Sequence, residues 1–201
     1  MDTGALYRAV GLYVCGKNIG GSEKEKIEAC IDTDSIDIEP AYIDGIQKVF
    51  LNGQDVSEKI RENHISKYAS DVSKIPKVRE FLLKAQRETA EKNNVVMDGR
   101  DIGTVILPDA DVKIFLTASP EERAKRRYAE LTEKGRTDIN YGQILKEINE
   151  RDEQDSSRET APLKPAHDAV ILDNSDCGSP GSTLEKALKI IKEKLPYADI
   201  R

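Results

Sequence analysis

Asp98-Gly99-Arg100-Asp101-Ile102-Gly103-Thr104 sets two acids and a base between two glycines, directly after the apolar run Val95 to Met97. If that run is a buried strand, its carboxyl end is where an α/β sheet holds a ligand. Charges are costly there unless they pair with one another or meet a ligand, so the segment reads as a binding site or a salt-bridged turn. A second set, Arg151, Asp155 and Arg158, recurs at i, i+4 and i+7 and lines one helix face. Two guanidiniums flanking a carboxylate suit a phosphate or a sugar, and a solvated charged face is the plainer alternative. Residues 121 to 136 hold six bases and four acids, with Arg123, Arg126 and Arg127 turned away from Ala124, Tyr128 and Leu131. Such a basic helix could close over a polyphosphate or simply face water. The first residues, Asp2-Thr3-Gly4-Ala5-Leu6-Tyr7-Arg8, gather a hydroxyl, a phenol and a guanidinium around a helix start, a plausible phosphate site.

Other chemistries find no footing. Gly11-Leu12-Tyr13-Val14-Cys15-Gly16-Lys17-Asn18 has the spacing of a phosphate-binding loop but ends in Asn, where the loop needs a Ser or Thr hydroxyl. Its interior is bulky and apolar, so it reads as the end of a helix closed by Gly and Lys. His64 and His167 lack partners at ligand or triad spacing, and Cys15, Cys30 and Cys177 form no C-x-x-C pair, so no metal site is expected.

The elements that must position these residues follow from periodicity. Residues 5 to 15 and 57 to 91 read as helices, the second with Val78, Phe81, Leu82 and Ala85 on one side behind Pro76. Ile36 to Ile38 and Val49 to Leu51 are β-like, and Asn52-Gly53 is a turn. Val95 to Met97, Val112 to Leu116 and Ala169 to Leu172 have the short apolar character of buried parallel strands. Ser119-Pro120-Glu121-Glu122 starts one helix, and Ser182-Thr183-Leu184-Glu185 is a capping box for another with a Leu184, Ala187, Leu188 and Ile191 stripe. Strand alternating with helix predicts an α/β domain.

Composition narrows the classes. The 201 residues suit one domain with small insertions, and 37 acids against 31 bases give a net charge of −6. An excess of acids argues against a nucleic-acid partner, and no apolar run approaches the roughly 20 residues of a membrane span. No basic and apolar leader opens the sequence, so a reducing, cytoplasmic home is expected.

Taken in order, Asp2 to Arg8, Asn52-Gly53-Gln54-Asp55-Val56-Ser57 with Ile60-Arg61, Ile75-Pro76-Lys77-Val78-Arg79, Asp98 to Val105, and Arg151-Asp152 through Arg158 resemble the bacterial cytidylate kinases, a family of nucleoside-monophosphate kinases. The resemblance covers nearly the whole chain. It implies a three-layer α/β/α kinase of the phosphate-loop type with a largely parallel sheet, one domain over 1–201. A monophosphate-binding insertion would span 31–91 and a short lid region 120–158. It implies transfer of the γ-phosphoryl group of Mg-ATP to CMP or dCMP by a protein expected to be a monomer. Ser70, Arg79 and Asp101 would surround the cytosine, with Asp98 among the substrate-binding residues. Arg8 and Arg100 would hold the acceptor phosphate, with Thr3 and Tyr7 beside them. Arg151, Asp155 and Arg158 would reach the ribose and the transferring phosphate, and Arg126 and Arg127 would approach ATP. Positioning and charge neutralisation carry such catalysis.

The family's first strand, Gly-rich phosphate loop and first helix, roughly 30 residues, have no counterpart before Asp2. The loop holds the β- and γ-phosphates and supplies the hydroxyl that ligates Mg²⁺, so the protein ligand of Mg²⁺ is expected outside these residues. The expectations that follow are a slot in the sheet between the strands at Val95 and Val112, poor stability, and no catalytic activity for these 201 residues alone. A non-catalytic nucleotide-binding remnant, an interaction module, or a kinase of another monophosphate are the alternatives.

Overall fold

A computed structural model describes residues 1–33 and 36–196, so residues 34 and 35 of the expected insertion, and the last five of the chain, lie outside the described residues. The chain divides into two compact units, Met1–Ile102 and Gly103–Arg201.

In the first unit α1 (Gly4–Gly16) is the central element, with Leu6, Ala9, Val10 and Val14 buried on its inner side. Around it stand α2 (Lys24–Thr33), α3 (Asn63–Val72) and α4 (Pro76–Lys92). An antiparallel meander of β1 (Ile38–Ile43), β2 (Ile46–Leu51) and the two-residue β3 (Gln54–Asp55) completes the unit. Ile27, Val49, Val72, Val78 and Leu82 join the α1 stripe in one apolar cluster. Gly11 is the point of closest approach: a Cβ there would stand 3.0 Å from Tyr68 Cβ and 3.1 Å from the Ala69 backbone nitrogen of α3. The glycine of the false phosphate loop thus serves helix packing, inside α1 as expected. Asp44-Gly45 and Asn52-Gly53 both have positive φ, giving the primed turns that match strand twist.

Three expectations are corrected here. The long helix over 57–91 is a 3-10 turn at Lys59–Arg61, then α3 and α4, because Pro76 forces Ile75 into extended backbone and starts a new helix. The β-like run at Ile36 begins its strand only at Ile38. Val95 to Met97 is not a strand: it makes no ladder, Val96 is 83% exposed, and the one parallel bridge nearby joins Asp2 to Asp98.

Gln86 is buried in α4 on the stripe of Val78 and Leu82, and neither of its amide atoms has a hydrogen-bond partner. An unsatisfied buried amide is a net cost, so the near-isosteric Gln86→Met is expected to stabilise the protein by about 1–2 kcal/mol. Urea unfolding of the two proteins measures it.

In the second unit β4 (Ile114–Thr117) and β5 (Val170–Asp173) pair in parallel, Ile114 opposite Val170 through Thr117 opposite Asp173. Three helices accompany them: α5 (Pro120–Glu133), α6 (Tyr141–Ser157) and α7 (Pro180–Lys194). The parallel pair and the α/β alternation agree with the expected class. The strands are not buried as expected. β4 has no buried residue, and Leu116 and Ile171 are exposed, since within this unit two strands leave much of each side chain row uncovered. Ser119 caps α5 as read, accepting from the Glu122 amide with Pro120 in the first turn. The capping box of α7 lies one turn earlier than read: Ser179 is the cap and Ser182 its reciprocal partner, so Leu184 stays exposed at the helix start. Among the described residues no helix is long and apolar enough to cross a membrane.

Candidate functional site

The first unit joins the start of α1 to the segment after Met97 by three bonds. The Asp98 amide donates to the Met1 carbonyl, the Thr3 amide donates to the Asp98 carbonyl at 3.1 Å, and the Thr3 hydroxyl donates to that same oxygen at 2.8 Å. Thr3, 3% exposed, is therefore a bolt between two pieces of chain, with its hydroxyl already committed. Gln47 of β2 ties in a third piece, its amide donating to the Asp2 carbonyl while its oxygen accepts from the Asp2 amide.

This seam sets two carboxylates close together. The Asp98 carboxyl is pushed above its ordinary range, first by burial and then by the negative charge of Asp2. The Tyr42 phenol is pushed up by burial and by both acids. A raised acid binds its proton more tightly folded than unfolded, so stability falls as pH climbs from the ordinary carboxylate value through the raised one. Asp98→Asn, which keeps the backbone bonds, is expected to remove that loss and to leave the protein more stable than its parent at neutral pH. Denaturant midpoints at about pH 4 and pH 7 test this.

Just beyond the seam Arg79 and Asp101 form a buried ion pair, their side chains 10% and 5% exposed. Arg79 also donates from Nη1 to the Ser73 carbonyl at the end of α3 (3.1 Å), and its Cζ lies 5.6 Å from the centre of the Tyr7 ring. Ser70 is half-buried on the last turn of α3. Arg8 donates to the Ser66 hydroxyl at 2.9 Å and to the Ile60 carbonyl at 3.3 Å, which pins α1 to the start of α3. Arg100 is exposed. The folding logic is local: α1 presents Tyr7 and Arg8 one residue apart, Pro76 places Arg79 in the first turn of α4, and the seam fixes Asp98 to Asp101. Of the sequence candidates the structure brings Thr3, Asp98, Tyr7, Arg79 and Asp101 into this connected set.

The second unit holds the rest. Asp155 is buried near the end of α6, with Arg158 Nη1 3.5 Å and Arg151 Nε 4.0 Å from its carboxylate. The three stand together as their spacing requires, Arg158 buried and Arg151 exposed. Arg123 grips Asp152 with both terminal nitrogens (2.9 and 2.5 Å) and donates from Nε to the Ala118 carbonyl, so α5, α6 and the end of β4 share one strut. The hydrogen bonding to the Asp152 carboxylate pushes the Arg123 guanidinium up. Arg126 does not stand open: it donates to the Asn174 side-chain oxygen (3.0 Å) and carbonyl (2.6 Å) after β5, while Arg127 pairs with Glu130 on its own helix.

Sequence reasoning missed Gln47, Ser66 and Asn174. None has a local signature, since each acts through a partner more than 40 residues away. Among the described residues no group of three or more His, Cys, Asp or Glu side chains could hold a metal ion.

The family described as cytidylate kinase matches residues 1–193. The cytidylate kinase of Caldicellulosiruptor bescii is 52% identical over 190 residues, 94% of this chain and 82% of that protein. Those of Caldicellulosiruptor saccharolyticus and Bacillus subtilis are 51% and 45% identical, covering 96% of this chain and 82% and 85% of theirs. A family model matched over nearly the whole chain, with relatives about half identical along most of their own length, shows that this protein belongs to the cytidylate kinases, a family of nucleoside-monophosphate kinases.

Proposed function

We propose that this protein transfers the γ-phosphoryl group of ATP to CMP or dCMP, giving CDP or dCDP. The observation that carries the reading is the buried Arg79–Asp101 pair. A desolvated carboxylate accepts a hydrogen bond strongly, and a neighbouring guanidinium only donates. Cytosine offers an amino group to the first and ring N3 and O2 to the second, with Ser70 as a further partner. Uracil presents a carbonyl and an N–H in place of the amino group and N3, so the same pair opposes it.

In this reading Arg8 and Arg100 take the acceptor phosphate, and Thr3 supports them by holding the seam. Arg151, Asp155 and Arg158 reach the ribose and the transferring phosphoryl group, the acid orienting both guanidiniums. Arg126 and Arg127 serve ATP, Arg126 after leaving Asn174. Mg²⁺, which neutralises transferring phosphate in such kinases, finds no set of three ligands among the described residues, so no residue is assigned to it and no step is routed through it. The protein is proposed to work as a cytoplasmic monomer without a nucleic-acid partner, in keeping with its net charge of −6.

The comparisons lend no support to the expectation that this chain is inactive, nor do they favour a non-catalytic remnant. Turnover is measured directly. CDP and dCDP formation should follow addition of ATP with CMP or dCMP, and UMP and AMP should compete at least about 100-fold more weakly, as expected where a buried polar pair is left mismatched. Equal or better use of UMP or AMP would sink the cytosine reading. CMP binding without any CDP would shift it to the nucleotide-binding alternative.

A further inference from the structure

Arg79 is held by three separate elements: the carboxylate of the 98–101 turn, the carbonyl of Ser73 at the end of α3, and the ring face of Tyr7 on α1. The two polar anchors fix the nitrogen ends of the guanidinium but leave it free to tilt about the line joining them. A ring 5.6 Å from Cζ removes that freedom, because the electron-rich face attracts the cation and blocks rotation toward α1. The contact is strengthened by its setting: the Arg79 side chain is only 10% exposed, and Tyr7 packs against the apolar cluster of the unit.

We infer that Tyr7 is a positioning residue for base selection, acting through the plane of the Arg79 guanidinium rather than by touching the base. This rests on the reading of Arg79 and Asp101 as the cytosine readers. The inference has a signature. A ring that stacked directly on the base would help cytosine and uracil alike, since both present the same flat face. A ring that sets the angle of Arg79 helps only the base whose edge that arginine matches.

Calorimetric titration of the whole chain with CMP and UMP separates these roles, with thermal melting as the check on folding. Tyr7→Leu, which keeps apolar bulk without a π face, is expected to weaken CMP about tenfold, the loss of a desolvated cation–π contact. UMP should change little, so the CMP-to-UMP ratio falls. Tyr7→Phe keeps the face and should keep the ratio. Equal loss of both nucleotides in Tyr7→Leu, or an unchanged ratio, would overturn the inference, as would a Tyr7→Phe variant that behaves like Tyr7→Leu. Asp101→Asn tests the underlying reading in the same titrations. If it abolishes the preference for CMP while Tyr7→Leu does not, the cytosine reading stands and the role of Tyr7 falls. If it leaves the preference intact, both fall together.

Discussion

Asp101→Ala is expected to cost about 3–5 kcal/mol of stability, the penalty for stripping one partner from a buried ion pair. The cause is what remains: Arg79, 10% exposed at its side chain, keeps its charge, the Ser73 carbonyl and the Tyr7 face, but no anion. The Coulomb energy gained by such a pair is largely offset by desolvation in the intact protein, whereas the orphaned charge has only the desolvation. Asp101→Asn separates recognition from stability. Its amide oxygen still accepts from Arg79, so folding should suffer less. Its NH₂ group, however, can face cytosine's amino group donor to donor, and CMP affinity is expected to drop about 100-fold, since a hydrogen bond to a charged group is exchanged for a clash. The same NH₂ can donate to the uracil carbonyl, so UMP should lose less than CMP. Denaturant unfolding and calorimetric titration of the two variants give both numbers. A CMP affinity equal to the parent's in Asp101→Asn would show that the acid does not meet the base.

Local chemistry was readable wherever it is decided within one turn of chain. The helix at 5 to 15, the Ser119-Pro120 start of α5 and the Asn52-Gly53 turn all depend on neighbours only, and each stands as expected within a residue or two. The break at Ile75-Pro76 is equally local: the proline that opens α4 also forces the residue before it into extended backbone, which ends any helix running up to it. Asp44-Gly45 carried a plain hairpin signature that went unread, with β1 and β2 on either side of it. Val95 to Met97 failed for a different reason. An apolar run becomes a strand only if another strand pairs with it, and that partner cannot be read from the run itself.

The site divides in the same way. Arg151, Asp155 and Arg158 were legible because helical spacing alone brings them together. Arg79 and Asp101 were not derivable as a pair, being 22 residues apart on different elements, and only the family resemblance placed both at one base. The resemblance likewise sets Arg126 toward ATP, whereas the structure shows it donating to the side chain and carbonyl of Asn174, a tie 48 residues away that no local pattern announces. Physical periodicity finds residues on one element; long-range pairing needs the fold.

Gly99→Ala is expected to disrupt the Thr3–Asp98 seam, and with it the turn that carries Asp101, by the addition of a single methyl group. A Cβ at this position would lie 2.4 Å from the Thr3 hydroxyl oxygen and 2.8 Å from Ile102 Cδ1, both inside contact distance. The Thr3 hydroxyl cannot turn aside without cost, because it is buried and donates to the Asp98 carbonyl, and a β-branched side chain is stiff about its first torsion. The methyl group must therefore push the 98–101 turn away from α1, which breaks the seam and carries Asp101 off Arg79. Overpacking of this kind costs about 1–3 kcal/mol, and CMP affinity is expected to fall at least about tenfold, as small misplacements of positioning groups do. Thr3→Ala alone should cost only about 1 kcal/mol, one hydrogen bond. Combining the two relieves the shorter clash, so the double variant should be less damaged than the sum of the single ones, and less damaged than Gly99→Ala paired with Thr3→Ser, which retains the offending oxygen. Additive losses across this cycle would mean that the glycine is needed for a reason other than the Thr3 hydroxyl.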